Sequence, residues 1–252
     1  MKKTFFASDF HLGISNSLER EKTIIRWLDK IAPEAQEIFL VGDVFDFWFE
    51  YRKVIPKGYV RLLGKLAALS DQGIPLHFFT GNHDMWMFKY FEEELGILTH
   101  RAPIIRTIDN KRVMIGHGDG LGPGDHGYKF LKKVFNSSWA QFFFNWIHPD
   151  LGISLASFWS GKSRSAQNQP PNFLGPEKEW LIQYCLHILE TENIDFFIFG
   201  HRHLPIDFTL NPSKSRYLNL GEWIHFNSYA EFFDGDIKLL FFENPNGKIF
   251  GN

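Results

Sequence analysis

The feature that most constrains this 252-residue chain is a short apolar run that ends in glycine and polar residues. Residues 74–79 are apolar apart from Pro75 and His77, and Thr80-Gly81-Asn82-His83-Asp84 follows directly. Such a run predicts a buried strand that delivers polar side chains at its carboxyl end. Gly81 permits a sharp turn, so the three residues after it can face one cavity. Taken alone, the segment is equally typical of a polar β-turn.

Four further clusters repeat this pattern and favour a functional site over a simple turn. Each follows a predicted buried strand: Ser8-Asp9-Phe10-His11 follows 4–7, Gly42-Asp43-Val44-Phe45-Asp46 follows 37–41, Gly116-His117-Gly118-Asp119 follows 112–115, and Gly200-His201-Arg202-His203 follows 195–199. In an α/β protein, sites lie at the carboxyl ends of parallel strands. We therefore expect the five clusters to face a common site.

The segments between the strands predict helices. Residues 18–32 and 59–71 each carry an apolar stripe at helical spacing. Helices that alternate with strands up to residue 84 predict a mainly parallel α/β sheet. Residues 104–108 and 112–115 predict a hairpin. The last four predicted strands, 206–210, 217–220, 229–233 and 237–242, favour an antiparallel meander.

One stretch, residues 128–159, is helical in pattern and unusually aromatic. Its large apolar side chains are Phe130, Val134, Trp139, Phe142, Phe143, Phe144, Trp146, Ile147, Phe158 and Trp159. Either they pack a helical cap onto the core, or some line an acyl-chain groove or rest on a bilayer surface. Residues 160–175 predict an irregular loop, and a further helix is predicted to start at Gly175-Pro176. We expect one domain, 1–252, with a helical insertion at about 128–175.

Composition narrows the classes of function. A net charge of −2 lacks the positive surface that nucleic-acid binding requires. Cys185 is the only cysteine, so a disulfide within the chain is excluded. No uncharged apolar run approaches the roughly 18 residues of a membrane-spanning helix. Asp9 ends the first apolar stretch too early for a signal peptide. We expect a cytoplasmic protein without a nucleic-acid partner and without an obligate protein partner.

The strand-end donors together predict a metal site. They are Asp9, His11, Asp43, Asn82, His117, His201 and His203. This mixture of oxygen and nitrogen ligands is too large for one zinc ion and suits two divalent ions that share a carboxylate, for which Asp43 is the strongest candidate. Two ions about 3.5–4 Å apart activate a water against phosphorus. Asp46 is assigned to a supporting or surface position, because carboxylates near turns are usually solvated.

The five motifs, in this order, resemble those of the calcineurin-like metallophosphoesterases. The resemblance implies a four-layer αββα sandwich with an inserted helical cap. It implies that one ion is held by Asp9, His11, Asp43 and His203, and the other by Asp43, Asn82, His117 and His201. It further implies that His83 contacts the scissile phosphate, that Asn82 takes part in catalysis, and that Asp84 orients His83.

Within that family, the segments 117–128 and 200–205 resemble the lipid A-pathway enzymes that hydrolyse UDP-2,3-diacylglucosamine to UMP and 2,3-diacylglucosamine 1-phosphate. The resemblance implies two divalent ions, manganese first and iron or zinc as alternatives. It also implies an acylated nucleotide-sugar substrate and peripheral contact with the cytoplasmic face of the inner membrane. The substrate-binding residues would be Asn82, His83, Asp125, Lys162, Arg164 and His201. One departure is His83, where the best-known members of that group carry Arg.

Two other functions remain open from the sequence. One is a binuclear hydrolase that acts on a soluble nucleotide diphosphate or a phosphodiester. The other is a non-catalytic scaffold that uses the same fold to bind a protein. A scaffold would be expected to have lost ligands, and all seven predicted positions are occupied by metal-binding residue types.

Overall fold

The computed structural model describes residues 2–124, 126–156 and 172–251, and these ranges contain two β-sheets. The first sheet has, in spatial order, β11 (Asp236–Phe241), β10 (Ser228–Phe233), β1 (Lys3–Ala7), β2 (Ala35–Val41), β3 (Leu76–Phe79) and β4 (Leu98–His100). The second has β5 (Ile104–Ile108), β6 (Lys111–Gly116), β7 (Phe196–Phe199), β9 (Ser215–Leu220) and β8 (Pro205–Leu210).

The described helices are α1 (Ser17–Ile31), α2 (Val60–Asp71), α3 (Tyr90–Glu93), α4 (His126–Phe135), α5 (Ser138–Asn145), α6 (149–156) and α7 (Trp180–Ile188). None of them combines the length and the apolar character that a bilayer-spanning helix needs, within the described part of the chain. The boundaries of α1 and α2 lie within a residue of the predicted ones.

The core has three apolar layers, because alternate residues of a strand point to opposite faces. Phe6 of β1 packs between the sheets, while its neighbours Phe5 and Ala7 pack under α1 and α2. On the far side, Phe197 of β7 packs in the cluster that includes Cys185 of α7. The order helix, sheet, sheet, helix confirms the predicted αββα sandwich.

Strand direction explains where the polar clusters meet. β1 pairs in parallel with β2, β2 with β3 and β3 with β4, as the alternation of strands and helices predicts. In the second sheet, β6 pairs in parallel with β7, and β7 with β9. The carboxyl ends of β1, β2 and β3 therefore lie at one edge of the first sheet, and those of β6 and β7 at one edge of the second.

The predicted meander at the end of the chain is wrong. β8 and β9 form an antiparallel pair in the second sheet, whereas β10 and β11 form one in the first. The chain changes sheets after β9 because β10 pairs with β1, with Phe6 opposite Ala230. Without β10, β1 would be an edge strand with unpaired backbone groups, and β10 satisfies them.

The aromatic stretch forms several short helices rather than one. Ser137 lies between α4 and α5. Its hydroxyl accepts a hydrogen bond from the Ala140 N–H and so caps the start of α5. The predicted loop at 160–175 lies mostly outside the described residues, as do Phe158 and Trp159. α7 begins at Trp180, later than the predicted start at Gly175-Pro176. The single-domain organisation stays a prediction.

Candidate metal centre

The loops that follow β1 and β2 run side by side, which brings the first two clusters together. The Asp9 N–H donates to the Gly42 carbonyl at 3.0 Å, and the His11 N–H donates to the Asp43 carbonyl at 2.9 Å. On the other side, the Trp223 N–H donates to the Asp9 carbonyl at 3.1 Å. Backbone hydrogen bonds therefore fix the positions of Asp9, His11 and Asp43.

These loops are held in an uncommon backbone conformation. Five predicted ligands adopt a left-handed φ: 56° at Asp9, 45° at His11, 51° at Asp43, 67° at His201 and 54° at His203. Residues other than glycine adopt this region rarely, and such residues cluster at functional sites where the surrounding structure holds them. The shared strain indicates that the loops are shaped to present side chains.

One group of ligand atoms comes from Asp9, His11, Asp43 and His203, and all of its atoms lie within 4.8 Å of one another. His203 Nε2 lies 3.1 Å from Asp9 Oδ1 and 3.1 Å from His11 Nε2. His11 Nε2 lies 3.9 Å from Asp43 Oδ2. The first sheet thus supplies three of these residues, and the turn after β7 supplies His203.

A second group comes from Asp43, His117 and His201. His117 Nε2 lies 3.3 Å from Asp43 Oδ2 and 3.3 Å from Asn82 Oδ1, so Asn82 adjoins this group. The structure therefore brings together all seven residues that the sequence singled out as ligands. Asp43 belongs to both groups, which is the position predicted for a bridging carboxylate.

The donors fit metal ions better than they fit one another. Metal bonds of about 2.1 Å at a right angle separate two ligand atoms by about 3 Å, the spacing found here. Asp9 Oδ1 and Asp43 Oδ2 are buried, and neither accepts a hydrogen bond within the described residues. Buried carboxylate oxygens require a partner, and a divalent cation would supply one.

Hydrogen bonds from Nδ1 to backbone carbonyls fix the ring orientation of two histidines, His117 and His83. His117 Nδ1 donates to the Val41 carbonyl at 2.8 Å, which leaves Nε2 to face Asp43. Gly42 permits this arrangement, because a Cβ there would lie 2.5 Å from His117 Nδ1. His83 Nδ1 similarly donates to the Asp46 carbonyl at 3.0 Å.

Charge is concentrated at this centre. Burial opposes ionisation of His11, yet its contacts with Asp46 and Asp9 outweigh burial and raise its pKa to about 10. Burial likewise opposes the charge on His117, but Asp43 raises its pKa to about 10. Burial and the neighbouring His117 lower the pKa of His201 to about 4. In the absence of a cation, His11 and His117 therefore carry protons that balance the carboxylates.

Asp84 contacts the backbone of two neighbouring loops. Its carboxylate accepts backbone N–H groups from Gly81 at 2.7 Å, Val44 at 2.8 Å, and Asp43 and Phe45 at 3.3 Å. Within the described ranges no hydrogen bond joins it to the His83 side chain, and its role in orienting His83 stays a prediction. Burial and the charge of Asp43 raise its pKa to about 7. Asp84 joins the loop after β3 to the loop after β2.

Two residues support the donors from behind: the sequence left Asp46 between a supporting and a surface position, and it did not indicate Arg20. Asp46 is buried rather than solvated, with Oδ1 3.7 Å from His11 Nδ1 and 3.6 Å from His83 Nδ1. Arg20 of α1 is also buried, and its Nη2 donates to the His11 carbonyl at 2.9 Å. The spacing of Asp46, three residues beyond Asp43, was a usable signal, whereas nothing in the local sequence marks Arg20.

A largely apolar cavity of about 360 Å³ opens beside the centre. Asp46, Asn82 and His83 line its polar end. Its apolar wall comes from the core and from the helices of the aromatic stretch: Met85, Trp86, Leu131, Phe135 and Phe144. Three of the predicted substrate-binding residues, Asp125, Lys162 and Arg164, lie outside the described residues.

The protein class follows from the fold, the paired ligand groups and a family match. A model of the calcineurin-like phosphoesterase family matches residues 2–205. The chain belongs to the calcineurin-like phosphoesterases, a family of hydrolases, and its donor set suits divalent metal ions.

Narrower similarity comes from individual proteins. A UDP-2,3-diacylglucosamine hydrolase of Porphyromonas gingivalis is 39% identical over 94% of this chain and 96% of its own length. Proteins of the same name from Aeromonas salmonicida and Coxiella burnetii are 26% and 27% identical over 94% and 96% of this chain, and over 92% and 99% of their own. A solved Escherichia coli phosphoesterase, Yfce, covers 96% of this chain and 100% of its own, with 15% identity and a TM-score of 0.47.

Proposed function

We propose that this protein hydrolyses the pyrophosphate bond of UDP-2,3-diacylglucosamine, giving UMP and 2,3-diacylglucosamine 1-phosphate. The observation that carries the proposal is the pair of ligand groups that share Asp43 beside an apolar cavity. The first feature suits phosphoryl chemistry, and the second suits an acylated substrate. The names of the relatives, one of them 39% identical, support the same substrate.

Asp9, His11, Asp43 and His203 would hold one divalent ion, and Asp43, Asn82, His117 and His201 the other. When bound, the two ions would lower the pKa of a water and stabilise charge that develops on the phosphoryl oxygens. Manganese is our first choice, because carboxylate, amide and imidazole donors without thiolates suit it, and iron or zinc are the alternatives.

In the reaction, the water oxygen forms a bond to the phosphorus of the UMP half and gives up one of its protons to the solvent. The bond from that phosphorus to the bridging oxygen breaks, and the sugar 1-phosphate leaves with the electron pair. Asn82 and His83 line the cavity next to the ligand groups, where they can bind the phosphates. The leaving phosphate has a second pKa of about 6, so it needs little protonation. His83 therefore positions the phosphate or stabilises its charge.

The cavity wall gives the helical insertion a role in substrate binding. Phe144 packs against Phe49 and Trp86, with ring centroids 4.7 Å apart in both pairs, so part of the aromatic stretch packs onto the core. Phe135 and Leu131 of α4 complete the apolar side of the cavity. Acyl chains placed there would run away from the metal centre while the diphosphate stays beside Asn82.

The remaining aromatic side chains support peripheral contact with a membrane, which we place at the cytoplasmic face of the inner membrane. Trp139 and Trp146 are 74% and 75% exposed, and Phe143 is 63% exposed. Tryptophan rings favour the boundary between headgroups and acyl chains. Replacement of Trp139 and Trp146 by serine should release the protein from anionic lipid vesicles in a flotation assay, whereas Val60→Ser, at an exposed position of α2, should not.

Incubation of the purified protein with Mn²⁺ and UDP-2,3-diacylglucosamine tests the reaction. UMP should appear in step with the acylated sugar 1-phosphate. Cleavage of bis-p-nitrophenyl phosphate without release of UMP would contradict the proposed substrate. Equal turnover of UDP-N-acetylglucosamine would contradict the role of the acyl chains and favour a soluble nucleotide substrate.

A further inference from the structure

A bidentate ion pair lies directly behind the turn that carries His201 and His203. Arg202, the residue between the two histidines, donates from Nε to Glu179 Oε2 at 2.8 Å and from Nη2 to Glu179 Oε1 at 3.0 Å. Only 2% of the Glu179 side chain and 14% of the Arg202 side chain are exposed. Paired, charge-assisted hydrogen bonds of this kind are strong and fix both side chains geometrically.

The same pair contacts the chain where it returns from the helical insertion. Arg202 Nη2 also donates to the Asn172 carbonyl at 2.7 Å, and Glu179 Oε1 accepts the Leu174 N–H at 3.2 Å. Glu179 is itself the residue that precedes α7. Three separate segments therefore meet at Glu179 and Arg202: the histidine turn, the returning chain and the start of α7.

The geometry of the turn indicates why such an anchor is needed. His201 and His203 both have left-handed backbone conformations, although neither is glycine. The His201 N–H donates to Asp9 Oδ2 at 3.1 Å, and the Asn219 side chain donates to the Gly200 carbonyl, so these contacts hold the first half of the turn. The Arg202 side chain holds its centre, between the two strained residues.

We propose that Glu179 and Arg202 are positioning residues for the metal centre: their ion pair holds the turn so that His201 and His203 face two different ions. The inference rests on the proposed function only in requiring that this centre binds divalent metal. It assigns no contact with substrate to either residue. Partners behind metal ligands typically change metal affinity by about 10- to 100-fold when they are lost.

Two variants test the pair. Glu179→Gln keeps the shape of the side chain but removes the charge that faces Arg202. Arg202→Lys keeps the charge but loses the two parallel hydrogen bonds. We expect each variant to bind Mn²⁺ about 10- to 100-fold more weakly at both sites, because one turn supplies a histidine to each group.

A matched control pair lies in the second sheet, between β8 and β9. Arg216 donates from Nε to Asp207 Oδ1 at 3.1 Å and from Nη2 to Asp207 Oδ2 at 2.5 Å, which is also a bidentate pair. Neither residue belongs to the ligand groups. Asp207→Asn should therefore leave Mn²⁺ affinity within about twofold of the wild-type value, even if it lowers the unfolding temperature.

The measurement is a Mn²⁺ titration by calorimetry and by the electron paramagnetic resonance signal of free Mn²⁺, without substrate. If Glu179→Gln and Arg202→Lys bind Mn²⁺ as tightly as the wild-type protein, this inference is overturned and the proposed function is not. The same holds if Asp207→Asn loses as much Mn²⁺ affinity as these two variants. A wild-type protein that binds no divalent cation would overturn the proposed function as well. If Glu179→Gln does not fold, the comparison of Arg202→Lys with Asp207→Asn decides the question.

Discussion

At the scale of single residues, Asp43 is the side chain that belongs to both ligand groups. One carboxylate oxygen, Oδ2, lies 3.3 Å from His117 Nε2 and 3.9 Å from His11 Nε2, while the other, Oδ1, accepts the His83 N–H at 2.9 Å. Asn at this position can keep the hydrogen bond to the backbone of His83 but cannot supply a shared negative charge. The two functions of the side chain are therefore separable by mutation.

We predict that Asp43→Asn abolishes binding at both ion positions and lowers hydrolysis by more than about 100-fold. Metal content by mass spectrometry and UMP release would be measured together. Asp46→Asn is the matched comparison, because Asp46 lies behind His11 and His83 and its loss should cost about 10- to 100-fold. Retention of two ions by Asp43→Asn would contradict the bridging role.

A second prediction concerns protons. In the metal-free protein, Asp46 and Asp9 hold the pKa of His11 near 10 despite burial, and Asp43 does so for His117. Histidine must be neutral to bind a metal ion, so filling both sites at pH 7 should release about two protons, one from His11 and one from His117. The affinity of each site should therefore rise about 10-fold per pH unit between pH 6 and 8. Calorimetry in buffers with different ionisation enthalpies measures the release. Heats that do not depend on the buffer would contradict it.

At the scale of elements, the loop after β3 packs unusually close to the loop after β2. A Cβ at Gly81 would collide with the Asp43 carboxylate and lie 2.7 Å from the Asp43 backbone nitrogen. Asp84 draws the two loops together by accepting N–H groups from both. The β3 loop must therefore carry glycine at this position for reasons of space.

We predict that Gly81→Ala destabilises the fold by about 1–3 kcal/mol and weakens metal binding, because the added methyl group pushes Asp43 out of place. Denaturant unfolding and a Mn²⁺ titration would measure the two effects. Gly64→Ala is the control, since Gly64 lies within α2 with open space around it and alanine there should stabilise by about 0.5–1 kcal/mol. Equal effects of both substitutions would contradict the steric argument.

The elements also show which structural features were readable from the sequence. The parallel strands and the ligands at their ends were predictable, because alternation, glycine turns and metal-binding residue types are local signals. The partner of β10 was not, since its pairing with β1 joins residues from opposite ends of the chain. The sequence left Asp46 between a supporting and a surface position for a similar reason: its contacts are with His11 and His83, which come from two other loops.

At the scale of the whole molecule, the centre lies where the two sheets meet. Asp9, Asp43 and Asn82 follow strands of the first sheet, and His117, His201 and His203 follow strands of the second. An ion held by Asp9 and His203, or by Asp43 and His117, would therefore link the sheets across the sandwich. Metal binding and the packing of the two sheets would then be thermodynamically coupled.

We predict that metal stabilises the entire fold and that EDTA removes this stabilisation together with activity. Free ion at 100 times Kd should add about 2.7 kcal/mol per site to the free energy of unfolding, because the unfolded chain lacks the assembled donors. Thermal unfolding at increasing Mn²⁺ concentrations measures the effect, and Asp43→Asn should show almost none. A transition that stays at one temperature while the wild-type protein binds metal would mean that the unfolded chain binds the ions as tightly as the folded one, which would contradict this prediction.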